Sequence, residues 1–342
     1  MIPTRRQLLH ASLGAGAALC WRMTQQPPSA LAVENQLLLA TTRTSRALGT
    51  KVSITAMHER AAEPAIDDAF AAIEQVEALM SIYRDDSQLS RLNRDGWLAD
   101  PHPLLVRVLR HAQDLSRRTR GAFDVTVQPL WTLHSRASQE ARRPSEKEIA
   151  AARKLVDWRA VQVRDDCIRL ARPGMQVTLN GVAQGLAADR AAEALHRAGV
   201  RHALVDCGEL AAEGGKTASD AWTVGVQHPR NPDAYVSLAA LRDRCLATSG
   251  DYATRFGDDY EYNHLFDPRT GRSPAQLASV SVAAASSMQA DALSTALFVL
   301  GVERGLELIR QTPDADALLV LKSGRMLATA GFPLVSEESS HG

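Results

Sequence analysis

Apolar and polar positions change period several times along the chain, and each change marks an element. Lys51 to Met57 alternates residue by residue, as a half-buried strand does. From Pro64, apolar residues recur at Ile66, Phe70, Ile73, Val76 and Met80, steps of three and four that predict an amphipathic helix. Leu104 to Leu115 predicts a second helix, with Leu105, Leu109, Ala112 and Leu115 on one face. Ser145-Glu146-Lys147-Glu148 is a capping box and opens a third, reaching about Val156. Gln176 to Leu179 reads as a short strand, and Gly181 to about Ala198 as a helix closed by Gly199. Ala203-Leu204-Val205 and Trp222 to Val226 read as buried strands, and Ser279 to Ala285 as another. Ala290 to Leu300 predicts an apolar helix stopped by Gly301. Leu318 to Leu321 and Met326 to Ala328, joined by Lys322 to Arg325, predict a hairpin. The polar stretch from about Ser135 to Pro144 reads as a surface loop, residues 33–45 as a linker and 336–342 as a flexible tail. Helices and strands alternate without a strict βαβ rhythm, so the expected class is α+β, one domain over 46–335 with no repeat.

Composition adds little until the N-terminus is considered. Hydrophobic content of 45% and charged content of 23% are ordinary for a globular chain. Basic and acidic residues number 39 each, which argues against a nucleic-acid footprint. Thr4-Arg5-Arg6-Gln7-Leu8-Leu9 precedes an apolar run, Ala11 to Cys20, and Ala30-Leu31-Ala32 supplies small residues for cleavage. That order reads as a twin-arginine signal over 1–32 and predicts a periplasmic protein, since the apolar run is too short to span a bilayer. Cys20 does not fit a lipid anchor, because Leu19 stands where a small residue is needed. Removing 1–32 deletes Arg5, Arg6 and Arg22 and no acid, leaving a net charge of about −3. The remaining cysteines, Cys167, Cys207 and Cys245, lack metal-cluster spacing and read as inert thiols beside apolar neighbours.

Familiar nucleotide and hydrolase signatures are missing. There is no P-loop, no H-E-x-x-H and no G-x-S-x-G, and Gly14-Ala15-Gly16 lies in the signal segment rather than after a strand. Four weaker elements carry chemistry. Asp291 and Thr295 stand one turn apart on a predicted helix, where a carboxylate and a hydroxyl can share Mg²⁺; the same pair can equally serve a helix dipole and packing. His264-Leu265-Phe266-Asp267-Pro268-Arg269-Thr270-Gly271 is a turn preceded by a histidine, either an acid–base group or a structural one. Gly121-Ala122-Phe123-Asp124 follows a helix and either holds a planar ring and a ribose or simply caps that helix. Asn180-Gly181-Val182-Ala183-Gln184-Gly185 leads into a helix whose N-terminus can face an anion, or is a tight turn.

Taken in order, these elements resemble the FAD:protein FMN transferases, the ApbE-like family. The resemblance runs from Leu48-Gly49-Thr50 through Ser81-Ile82-Tyr83, Asp86-Ser87, Leu92-Asn93, Gly121 to Asp124 and Pro129-Leu130. It continues through Thr248-Ser249-Gly250-Asp251-Tyr252, His264 to Gly271, Ala290-Asp291-Ala292 and Thr295-Ala296-Leu297, ending near Gly301. It implies an ApbE-like, T-fold-like flavin transferase fold. It implies that Leu48, Tyr83, Ala122, Phe123 and Asp124 line an FAD site completed by Asn180, Leu186, His264 and Leu265. It implies a metal, usually Mg²⁺, held by the Ala183 carbonyl and the Asp291 and Thr295 side chains, with His264 catalytic. The implied reaction moves FMN from FAD to a Thr or Ser of an exported or membrane redox protein and releases AMP. Two positions depart from the family pattern. Gln184 stands where a lysine is common, and Cys207-Gly208-Glu209 replaces Gly-Gly-Asp. Both variants, with the twin arginine, resemble the NosX-like subgroup that serves nitrous-oxide reductase maturation. The neutral Gln184 keeps an FAD carrier without transfer open, and water in place of the acceptor hydroxyl would make an FAD pyrophosphatase yielding FMN and AMP.

Overall fold

A computed structural model describes residues 38–58, 62–257 and 259–335. The signal segment and the tail expected at 336–342 lie outside the described residues. The central element is an eight-stranded sheet. Its strands are β1 (Leu39–Ala47), β2 (Thr50–His58), β6 (His202–Asp206), β7 (Leu210–Glu213), β10 (Cys245–Gly250), β11 (Leu277–Ala284), β12 (Asp316–Leu321) and β13 (Met326–Ala328), in that spatial order. Every neighbouring pair is antiparallel. A three-stranded sheet places β5 (Cys167–Leu170) between β3 (Trp97–Ala99) and β4 (Val161–Val163), and β8 (Trp222–His228) pairs with β9 (Asn231–Leu241) as a separate hairpin. Mixed helix and antiparallel sheet is the α+β class expected from the sequence.

Both faces of the large sheet are covered. On one face lie α1 (Glu63–Met80), α6 (Ala183–Arg197) and α7 (Ser287–Arg310), packed on one another and on β10 and β11. The other helices are α2 (Gln88–Asp95), α3 (Pro103–Arg118), α4 (Gln128–Gln139) and α5 (Glu146–Arg153). The hairpin β8–β9 covers the opposite face through a smaller apolar cluster that includes Trp222, Val224, Val226, Leu241 and Leu246. Neighbouring residues therefore point into different cores: Val280, Val282 and Ala284 face the helices, while Ala283 faces the hairpin. All eight residues of β11 are buried, the pattern of a strand covered on both sides.

The predicted helices at 64–80, 104–115 and 145 onward form, the last with both halves of its capping box in place. Five readings need correction. Residues 39–45 of the expected linker are strand β1; its nine residues are mostly polar and exposed, so no alternation announced it. The expected loop 135–144 is helical as far as Gln139. The third helix stops at Arg153 rather than Val156. Gln176 to Leu179 forms no strand. Its backbone partner is a side chain: Asn93 Nδ2 donates to Val177 O (2.8 Å) and Val177 N donates to Asn93 Oδ1 (2.6 Å). Gly301 breaks the helix at φ 77°, but helix resumes to Arg310 because Gln276 Oε1 accepts from Val302 N (2.8 Å) and caps the new start.

Candidate functional site

The chemistry-bearing segments converge where α6, α7 and β10 meet. Ala122 to Asp124 arrives through a helix C-cap: Gly121, at φ 80°, donates its N–H to Ser116 O (2.8 Å) after α3 ends. Asp124 then caps a 3-10 turn over Val125–Val127. Its Oδ1 accepts from Thr126 N (2.8 Å) and Thr126 Oγ1 (2.6 Å), and its Oδ2 from Trp158 N (3.1 Å). Burial outweighs those donors and pushes its pKa up to about 6. Thr178 N donates to Val125 O (2.8 Å), which holds the Asn180-Gly181 turn beside this segment.

The turn delivers the chain to α6. A Cβ on Gly181 would stand 2.9 Å from Thr295 Oγ1, so glycine here lets the Thr295 hydroxyl lie against the backbone. Gly185 meets α7 more closely still: a Cβ there would overlap the Ser287 carbonyl. This close crossing lets Gly185 N donate to Asp291 Oδ2 (3.1 Å). Asp291 is buried, and burial followed by the charge of Asp189 pushes its pKa up to about 7. Glu209 is buried as well; Thr248 N donates to its Oε2 (2.9 Å), and burial and the charge of Asp291 push its pKa well up. Neither carboxylate has an ion-pair partner among the described residues. Ser249, on the helix-facing side of β10, joins its hydroxyl to Ser294 Oγ (2.8 Å) and Thr295 Oγ1 (3.0 Å). Two buried acids and a hydroxyl chain without a counter-cation are a hard-oxygen environment that suits Mg²⁺.

His264 sits in the same wall. Its Nδ1 lies 3.3 Å from Thr254 O, and a carbonyl can only accept, so Nδ1 carries the proton and Nε2 is the basic nitrogen. Desolvation holds its pKa below the usual value, so the ring is neutral near pH 7. The following Asp-Pro-Arg-Thr-Gly segment is the predicted turn, closed by Gly271 N donating to Asp267 O (2.8 Å).

A cavity of about 180 Å³ is lined by Ala122, Phe123, Asp124, Asn180, Gln184, Glu209, His264, Leu265, Asp291 and Thr295, among others. The structure thus gathers eight of the residues singled out for FAD, catalysis or metal binding: Ala122, Phe123, Asp124, Asn180, His264, Leu265, Asp291 and Thr295. Ala183, the first residue of α6, lies between Val182 and Gln184, which both line the cavity. Three residues stand apart. Leu48 occupies the two-residue turn between β1 and β2 at φ 53°. Leu186 is fully buried in the main core. Tyr83 is 72% exposed and lines a neighbouring depression that meets the cavity at Trp131. Glu209 and Ser249 had no assigned role in the sequence reading; the alternation of β10 was the one signal that could have placed Ser249 against α7. Cys207 and Cys245 are buried thiols with strongly raised pKa values, while Cys167 is half-buried.

The ApbE family model matches residues 48–319, which spans every segment of the cavity. The chain belongs to the ApbE family. Two relatives named FAD:protein FMN transferase, from Treponema pallidum and Haemophilus influenzae, are each 32% identical to this chain and cover 78% of it and 80% of themselves. This ApbE-family fold superposes on the ApbE protein of Thermotoga maritima with a TM-score of 0.77 at 28% identity, covering 85% of this chain and 97% of that one. The flavin transferase ApbE of Vibrio cholerae gives the same TM-score and identity, covering 86% and 98%.

Proposed function

We propose that this chain is an FAD:protein FMN transferase that uses a divalent cation, Mg²⁺ by the chemistry of its donors, and releases AMP. The observation that carries the reading is one cavity, within the family match, that brings His264, Glu209 and the α7 pair Asp291 and Thr295 together from three distant segments. Asp291, Thr295 and the carbonyl of Ala183 would hold the cation. It would supply Lewis-acid stabilisation of charge building on the FAD pyrophosphate. The remaining work falls to the chain. Phe123 and Leu265 offer apolar wall to the flavin or adenine, while Ala122 and Gly181 keep that wall low. The cavity is too small for all of FAD, so the dinucleotide would extend past Trp131 toward Tyr83.

The acceptor hydroxyl attacks the FMN phosphorus, an O–P bond forms and the P–O bond to AMP breaks. His264 Nε2 takes the hydroxyl proton, as its neutral state and tautomer allow. Gln184 lines the cavity where a cation is common in the family, so this chain relies on neutral amide hydrogen bonds at that point. The twin arginine supports a periplasmic acceptor, an exported or membrane redox protein. With Gln184 and Gly208-Glu209 it supports the nitrous-oxide-reductase maturation subgroup.

Intact-protein mass spectrometry tests the activity. A candidate exported flavoprotein domain is incubated with the mature chain and FAD, with and without Mg²⁺. An FMN mass added to one Thr or Ser only with Mg²⁺ is expected. FAD retained with no added mass would mean a carrier, and AMP release with an unmodified acceptor would mean a pyrophosphatase.

A further inference from the structure

A second cavity of about 850 Å³ opens beside the first, and the two share Gln184, Glu209, Thr248, Gly250 and Ala253. His264, Asp291 and Thr295 line only the smaller one. We propose that this groove docks the acceptor protein, taking the segment that bears the modified Thr or Ser in extended form and presenting its hydroxyl past Gln184 and Thr248. The proposal rests on the transferase reading above and names where its protein substrate binds.

The groove walls suit a polypeptide. One wall is the β8–β9 hairpin, the other is made by Gly250, Tyr252, Ala253, Arg255 and Tyr260. The Tyr235 ring packs against Gly225 and the Tyr252 ring against Gly250, so closely that a Cβ on either glycine would overlap the ring. Aromatic rings packed on glycine backbone give broad apolar contact at little entropic cost. The wall behind them is rigid. Arg230 donates twice to the fully buried Asp251 (2.7 and 2.8 Å) and stacks on Tyr260 at 3.9 Å. Lys322 Nζ also lies 3.7 Å from Asp251 Oδ2, so this one buried carboxylate ties Arg230 and Lys322 together behind the wall.

The hairpin ladder also breaks at the groove. Register shifts follow Val226 and Gln227, and Pro232, Asp233 and Ala234 fall outside the pairing. Bulged strands commonly lie beside active sites, and Asn231, Pro232 and Tyr235 of this irregular end line the groove. Flavin and acceptor would then enter separately. Tyr83 and Trp131 mark the dinucleotide side, whereas the groove joins the cavity at Gln184, Glu209 and Thr248.

Two variants test the assignment. Gly225→Val drives the Tyr235 ring into the groove, and Tyr235→Ala removes that ring with little risk to folding. FAD affinity is read by flavin fluorescence on the full mature chain. The acceptor KM is read by mass spectrometry with the domain that gains FMN in the assay above. The expected result is a KM raised at least tenfold in Gly225→Val and several-fold in Tyr235→Ala, with FAD affinity within twofold of wild type. An unchanged KM in folded Tyr235→Ala overturns the docking site, and so does a parallel loss of FAD affinity, which would assign the groove to the dinucleotide. Absence of transfer by the wild-type chain sinks the transferase reading, and the docking site with it; transfer with unchanged KM sinks the docking site alone.

Discussion

Asp124 and Asp291 are both buried acids on one cavity, yet their partners give them different work. Asp124 meets three donors from its own chain, so it organises the turn that carries Phe123. Asp291 receives one backbone donor and faces a second acid, with no ion-pair partner among the described residues, which suits the proposed cation ligand. Asp291→Ala should therefore abolish Mg²⁺-dependent transfer and remove the rise in thermal midpoint that Mg²⁺ gives the wild type. Calorimetric Mg²⁺ titration showing unchanged affinity in the variant would refute the ligand assignment. Asp124 has a separate signature in pH. Its folded pKa, about 6, lies above the ordinary 3.8, so the folded state holds the proton more tightly. Its contribution to stability is complete below the unfolded pKa and is lost as pH rises through about 6. The loss amounts to about 2–3 kcal/mol. Urea unfolding between pH 4 and 6.5 should show this fall in wild type and a shallower one in Asp124→Asn; parallel slopes would contradict it.

Close approach of two helices makes the proposed metal pocket possible. α6 and α7 meet at Gly185, where the absent Cβ leaves room for the start of α7 and lets one N–H reach Asp291. Gly185→Ala should cost about 1–3 kcal/mol, the usual range for overpacking a filled core. It should also weaken Mg²⁺ binding, since the crossing that aims Asp291 must widen. Unchanged urea midpoint and unchanged Mg²⁺ affinity would show that the crossing can adjust freely. Helices were the elements most legible in the sequence, because their 3.6-residue period is local and their caps lie within a few residues. The errors came where a distant partner intervened. Asn93 stands in for a strand beside Val177, and Gln276 restarts a helix after Gly301. β1 escaped notice because strand formation there depends on pairing with β2, not on an apolar face.

For the whole molecule, the large sheet divides the labour. Its helix side builds the acidic pocket, its hairpin side builds the groove, and β10 contributes to both through Ser249 and Thr248. Among the described residues no helix is long and apolar enough to cross a membrane. The proposed export rests on the twin arginine of the N-terminal segment. Arg5→Lys with Arg6→Lys should retain the protein in the cytoplasm, where fractionation would find the uncleaved chain; normal periplasmic recovery would contradict the signal reading. The sequence alone determined the α+β class, most helices, the family and the chemical types at the cavity, since these reside in local periods and in ordered short motifs. It also marked Asp291 and Thr295 as a pair, because one helical turn sets their spacing. Only the tertiary structure decided that Glu209 faces Asp291, that Leu186 belongs to the core and that Tyr83 stands outside the cavity. Those facts depend on which strands pair and how closely α6 crosses α7, and no local pattern encodes either distance.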